Sequence, residues 1–134
     1  MSQTPQIPLG TSGSQTLEVT QETTLAGMDD RLPALFSTPR MVELIEHTAA
    51  MAIQPHLPNG WISVGVVVNV KHTAPTGLGD KVTAEVNVTA VDERTVTLAF
   101  EVRDQTEKIG EGIHVRAPVE VARLLKRVNA KIGG

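Results

Sequence analysis

The sequence predicts an α+β protein in which one antiparallel sheet wraps around a single long helix. One segment in the first half of the chain has helical periodicity. Four later segments alternate apolar with polar residues, as strands with one buried face do. The links between these four segments are short, which favours antiparallel neighbours.

The helix is predicted over residues 38–53. Thr38 offers a hydroxyl as the N-terminal cap, and Pro39 follows at the first helical position, where a missing N–H is harmless. Glu43 and His47 fall on the side where solvent is expected. The packed face is predicted from residues that recur at helical spacing: Met41, Ile45, Thr48, Ala49 and Ala52.

The strands follow from β-rich composition and alternation. A first strand is predicted over residues 15–23, and an apolar loop follows over residues 24–37. A row of valines in the next strand ends in His72 and is predicted to face inwards. His114 and Arg116 share a polar row of the last strand, where exposure is expected at least as readily as function. The later predicted elements are strands at 63–73, 81–91, 95–103 and 108–119 and a basic helix at 120–131.

Composition excludes several classes of protein. The chain has 134 residues, enough for one domain, and a net charge of −3, which argues against a nucleic-acid surface. It has no cysteine, and its four histidines lack metal-ligand spacing, so no metal site is predicted. Residues 1–14 are predicted to be a flexible lead-in to a domain over residues 15–134. No apolar run approaches membrane-spanning length. We therefore expect a cytoplasmic protein without a nucleic-acid or membrane partner.

Three polar residues interrupt the apolar pattern or lie beside it. Glu46 lies at the margin of the packed helix face, and His72 ends the valine row. Taken alone, each has a simple structural interpretation, as a solvated carboxylate and a hydrogen-bonded imidazole. With Thr38 they supply the hydroxyl, carboxylate and imidazole that acyl-transfer hydrolysis uses. The pattern leaves both interpretations open.

The sequence resembles the hot-dog-fold thioesterases, and within them the fluoroacetyl-CoA thioesterase-like group. The resemblance implies a hot-dog fold, acyl-CoA thioesterase activity and a catalytic set of Thr38, Glu46 and His72. It also implies that Gly65 and Arg116 lie where the oxyanion and substrate bind. The segments that carry it are STPRMVELIEHTAA, SVGVVVNVKHTAPTGLGDKVTAEV and IGEGIHVRAPV.

The loop before the helix departs from that group. The fluoroacetyl-specific member carries phenylalanines there, whereas this loop, LAGMDDRLPALF, is mostly aliphatic and has only Phe36. We therefore expect a short or medium acyl thioester of CoA, or of another pantetheine, as the substrate. Leu32 and Phe36 are expected to help select the acyl chain, because the loop has no other evident core to join. CoA enters as part of the substrate, and no cofactor is expected.

The roles that the resemblance implies are a nucleophile or general base for Glu46 and a proton carrier near neutral pH for His72. Open sheet edges and apolar surface predict a homodimer or a higher oligomer. Thr38 and Glu46 are eight residues apart, about 12 Å along a straight helix. They cannot share a hydrogen bond within one straight helix, so either the chain turns back at Thr38 before the helix starts or the two groups meet across a two-fold axis. We predict the second, with sites built from both protomers.

Two other functions are compatible with the sequence at this stage. One is a non-catalytic acyl-CoA-binding module of the same fold. The other is a hot-dog hydratase, which would use an aspartate followed closely by a histidine. Asp29 and Asp30 have no such histidine after them, which counts against the hydratase.

Overall fold

The computed structural model describes residues 4–133, so the first three residues of the predicted lead-in lie outside the described residues. The chain forms a five-stranded antiparallel sheet against one long helix, which confirms the predicted α+β class. The strand order is β1-β3-β4-β5-β2, so β1 and β2 are the two edges. The strands are β1 (Ser12–Glu18), β2 (Trp61–His72), β3 (Lys81–Val91), β4 (Val96–Arg103) and β5 (Lys108–Glu120).

The central helix has the predicted bounds but a different cap. The helices are α1 (Leu25–Met28), α2 (Thr38–Ile53) and α3 (Val121–Lys131), with 3-10 turns at Gln21–Thr23 and Gln54–His56. Ser37, not Thr38, is the N-cap of α2: its backbone is extended, and its hydroxyl accepts a hydrogen bond from the N–H of Arg40. Thr38 is therefore the first helical residue, and its hydroxyl is free to contact other groups.

The first strand lies earlier than the prediction placed it. β1 begins at Ser12 rather than residue 15, and pairing with β3 starts at Asn87. The serine and glycine residues at its start are poor strand formers, so tertiary pairing overrides local propensity here. Gly13 faces α2, where an added Cβ would lie 3.0 Å from the Cβ of Ala52. The chain after Glu18 turns through Gln21–Thr23, which ends the strand before the predicted residue 23.

The core lies between α2 and the inner face of the sheet. The predicted helix face is buried except for Ala52, which is partly buried, whereas Glu43 and His47 are exposed, as expected. Inner residues of β3 and β4 alternate with outer ones as the sequence pattern predicts. The buried side chains of these three elements include Met41, Leu44, Ile45, Ala49, Ile53, Val82, Ala84, Val86, Val88, Val96, Leu98, Phe100 and Val102.

Two strand faces differ from the prediction. A bulge between Gly65 and Val67 interrupts β2, and Val66 and Val67 are 56% and 47% exposed, so the predicted inward valine row is not continuous. In β5 the exposed position expected for His114 and Arg116 is wrong. They are 0% and 5% exposed, because they pair with the buried Leu98 and Val96 of β4 and share their inner face.

No helix among residues 4–133 is long and apolar enough to cross a bilayer.

Candidate active site

Thr38 and His72 form a direct pair. Thr38 begins α2 and His72 ends β2, which brings the Thr38 Oγ1 within 2.8 Å of the His72 Nδ1. The buried ring of Phe36 meets the His72 ring edge-on, with centroids 6.4 Å apart. A hydroxyl held against an imidazole is a geometry in which a proton can pass between the two groups.

An open cleft of about 320 Å³ lies beside this pair, next to the segment that precedes α2. Its apolar wall comes from the predicted loop, part of which forms the short helix α1. Leu32, expected to help select the substrate, does not line this cleft and is 43% exposed. The lining residues are Leu25, Leu35, Phe36, Thr38, His72, Thr73, Ala74 and Pro75.

The environment of His72 favours its neutral form. Partial burial lowers the pKa of His72 below its ordinary value, and a backbone hydrogen bond with Ala74 opposes this shift. Because burial penalises the imidazolium, the neutral ring is favoured at neutral pH. The role of His72 as a proton carrier stays a prediction.

Glu46 lies in a different place on α2. Its Oε2 is 3.6 Å from the Nη1 of Arg116, and its side chain is 41% exposed. The carboxylate packs against Gly65, where an added Cβ would collide with Oε2. A side chain at position 65 would therefore force the Glu46 carboxylate to move. An open cleft of about 500 Å³ borders the carboxylate and is lined by Pro39, Val42, Glu43, Glu46, His47, Ala50 and Arg116.

Arg116 is held on several sides. Its Nε donates to the hydroxyl of Ser63 at 2.8 Å, and its Nη2 donates to the Ser63 carbonyl at 2.7 Å. Its Nη1 lies 3.1 Å from the Nε2 of His114. Burial lowers the pKa of Arg116, and the negative charge of Glu46 opposes that shift. The guanidinium is thus a fixed positive charge beside the Glu46 carboxylate.

One protomer does not assemble the whole predicted catalytic set. Thr38 and Glu46 lie on one α-helix, about 12 Å apart along its axis. Gly65, which touches Glu46, lies seven residues before His72 on β2, a separation of about 20 Å. The structure therefore forms two groups, Thr38 with His72 and Glu46 with Gly65 and Arg116.

Ser63 and His114 complete the second group, and the sequence prediction did not include them. The alternation of β5 residues between the two faces of the sheet could have shown that His114 is buried. Gly110 and Gly112 lie in the same row as His114 and Arg116, and an added Cβ at Gly110 would meet the sulfur of Met41 on α2. Glycines that make room for a core side chain mark an inner row.

Comparison with known proteins agrees with the predicted fold and family. The family of fluoroacetyl-CoA-specific thioesterases matches residues 19–122. The fluoroacetyl-CoA thioesterase of Streptantibioticus cattleyicolor is 34% identical over 100 residues, which are 75% of this chain and 69% of that protein. A solved structure of the fluoroacetyl-CoA thioesterase FlK has a TM-score of 0.87 at 26% identity and covers 94% of this chain and 98% of its own. A hot-dog-like protein from Thermanaerovibrio acidaminovorans has a TM-score of 0.88 at 31% identity, covering 95% of this chain and 94% of its own.

The curled antiparallel sheet around α2 is thus the hot-dog fold of thioesterases, as predicted. Within that class, the chain belongs to the family of fluoroacetyl-CoA-specific thioesterases. The prediction of a thioester hydrolase of the acyl-CoA thioesterase type is confirmed, and neither the binding module nor the hydratase is favoured.

Gly65→Ala tests whether the placement of Glu46 matters. The new Cβ would occupy the position of the Glu46 Oε2, so the carboxylate must move, and we expect thioester hydrolysis to fall at least about tenfold. The matched control is Gly77→Ala, because an added Cβ there meets nothing within 4 Å. Steady-state thiol release, with urea unfolding to check stability, measures both. An unchanged kcat/KM in Gly65→Ala would show that this contact has no role in the reaction.

Proposed function

We propose that this protein is a cytoplasmic, homodimeric acyl-CoA thioesterase that hydrolyses short or medium acyl thioesters to the free acid and CoA. The observation that carries the proposal is the separation of Glu46 from the Thr38–His72 pair within one protomer. Each site then combines Glu46, Gly65 and Arg116 of one protomer with Thr38 and His72 of its partner.

The edge strand β2 supports a dimer. Its exposed apolar residues contrast with the polar sequence SGSQTLE of the other edge, β1. Two β2 strands that pair antiparallel about a two-fold axis at Val68 or Asn69 would bring Gly65 within about one residue of the partner's His72 along the strand. Glu46 would then face the partner's Thr38–His72 pair. The exposed apolar residues on and beside this strand are Ile62, Val66, Val67 and Ile113.

The chemistry assigns one role to each group. Glu46 takes a proton from the water that attacks the thioester carbonyl, or attacks that carbonyl itself to give an anhydride that water then hydrolyses. The backbone N–H of Gly65, unobstructed by a side chain, helps to hold the oxyanion. In both routes the C–S bond breaks to release the thiolate of CoA, and the partner's His72 passes to that thiolate the proton lost by the water; its Thr38 hydroxyl orients that ring. Arg116 holds the Glu46 carboxylate in place. These steps need no cofactor, and CoA takes part only as the leaving group.

The acyl group is proposed to lie in the cleft beside His72. The wall from Leu25, Leu35 and Phe36 is mainly aliphatic, which suits a short or medium acyl chain. Relatives of this chain are named for fluoroacetyl-CoA, but the phenylalanine-poor loop favours a broader acyl range here.

The function is tested by thiol release from a panel of acyl-CoA thioesters. We expect hydrolysis by the wild type, and a loss of about 10²–10⁴-fold in kcat for Glu46→Gln, because the amide neither attacks nor accepts the proton. Glu93→Gln, an exposed change in the link between β3 and β4, is the control and should retain activity. Binding of acyl-CoA by the wild type without thiol release would contradict the proposal.

Mixed dimers test the composite site. A dimer of one Thr38→Ala and one Glu46→Ala subunit keeps one intact site. Unfolding and refolding an equal mixture should therefore restore about one quarter of wild-type activity. A mixture of Thr38→Ala with His72→Ala should restore none, because both residues come from the same subunit in every site. Equal results for the two mixtures would contradict the shared site.

Substitutions in the loop test acyl selection. Phe36→Ala should change the ranking of acyl-CoA substrates, because its ring lines the cleft and contacts His72. Leu32→Ala removes an exposed loop side chain outside this cleft and should have the smaller effect. The ratio of kcat/KM values for acetyl-CoA and hexanoyl-CoA provides the measurement. If Phe36→Ala leaves this ratio unchanged, the acyl pocket lies elsewhere.

A further inference from the structure

His114 is a fully buried histidine with a partner for each ring nitrogen. Its Nδ1 lies 2.7 Å from the carbonyl oxygen of Val67, and its Nε2 lies 3.1 Å from the Nη1 of Arg116. A carbonyl oxygen can only accept, so Nδ1 must carry the hydrogen. A guanidinium can only donate, so Nε2 must present its lone pair. The neutral Nδ1–H tautomer alone satisfies both contacts.

These contacts form a chain that leads to the Glu46 carboxylate. The Val67 carbonyl fixes the ring tautomer, the Nε2 of His114 holds Arg116, and Arg116 lies 3.6 Å from the Glu46 oxygen. Val67 lies at the end of the bulge in β2, so the bulge sets the position of the Val67 carbonyl that begins this series of contacts. Arg116 also binds Ser63 on the other side of Gly65.

We propose that His114 is a positioning residue for thioester hydrolysis, acting as a neutral hydrogen-bond relay that holds Arg116 beside Glu46. This role rests on the proposed function of Glu46. His114 itself is buried and touches neither proposed cleft, so it acts through Arg116.

Protonation of His114 would break the relay. A hydrogen on Nε2 would face the guanidinium hydrogens, and the contact would be lost. The charged groups near the ring are Arg116 on the same strand, which lowers the pKa of His114, and Glu46 on α2, which raises it. Burial is the largest effect and also lowers the pKa of His114, so the relay is intact at neutral pH.

Two amide substitutions test the two hydrogen bonds of His114 separately. His114→Gln can place its carbonyl oxygen near the former Nε2 position and still accept from Arg116. His114→Asn can place its amide nitrogen near the former Nδ1 position, so it retains the Val67 contact and loses Arg116. We expect His114→Gln to keep kcat within about threefold of wild type and His114→Asn to lose at least about tenfold. KM should change less than kcat in both variants.

A purely structural histidine would give a different result. His114→Asn leaves the larger cavity, so a purely structural role predicts that the loss of kcat in each variant follows its loss of stability. Urea unfolding of both variants measures that loss of stability. Equal kcat values for the two variants, or a larger loss in His114→Gln, would overturn the relay.

Nitrogen-15 spectra of the histidine rings give a readout that needs no activity. The wild type should show His114 with a protonated Nδ1 and an unprotonated Nε2 at neutral pH. Arg116→Lys should shift the Nε2 resonance, whereas Glu43→Gln should not. An Nε2–H tautomer, or a ring insensitive to Arg116→Lys, would overturn the relay even if a variant failed to fold. A wild type with the predicted tautomer but no thioesterase activity would instead contradict the proposed function alone.

Discussion

The buried positive charge of Arg116 is the constraint on which the rest of the site depends. Moving a guanidinium out of water is costly unless its N–H groups and its charge are matched. Ser63 satisfies two of its nitrogen atoms, His114 faces the third, and Glu46 supplies the opposite charge. Each of these residues is thereby tied to one position, so three separate elements, α2, β2 and β5, meet at a single side chain.

Gly65 allows this arrangement to exist at the sheet surface. A side chain there would displace the Glu46 carboxylate from Arg116, leaving the buried charge without its counter-ion. The bulge that follows Gly65 turns Val66 and Val67 towards solvent along the edge strand. The same local irregularity therefore makes room for the carboxylate and exposes the apolar edge that a second protomer would cover.

The sequence predicted most of the fold because its periodic segments are long and regular. The face of α2 and the strands β3 and β4 follow directly from their apolar spacing. The buried face of β5 was harder to predict, because the apolar row with Ile113 and Val115 looked more like an inner face than the row with His114 and Arg116. Only the pairing with Leu98 and Val96 of β4 decides which row is buried. Ser37 and Thr38 are both good caps, so composition could not choose between them.

The sequence and its resemblance to the family singled out candidate residues but did not predict the contacts between them. The distance between Thr38 and Glu46 follows from helix geometry alone, and the unbroken α2 bears it out. The Thr38–His72 pair depends on where β2 ends relative to the start of α2, which no local pattern encodes. The contacts of Ser63 and His114 with Arg116 depend on strand register, which is set by the whole sheet.

The central claim is that each active site is completed by a second protomer. A crystal structure of the assembled protein with a non-hydrolysable acyl-CoA analogue tests it through one distance, from the Glu46 carboxylate to the nearest His72 ring nitrogen. We expect this ring to belong to the partner subunit and its nitrogen to lie within about 3–6 Å of the Glu46 carboxylate, close enough for a hydrogen bond that is direct or passes through one water. A nearest His72 in the same chain, or no His72 of either chain within that range, would contradict it.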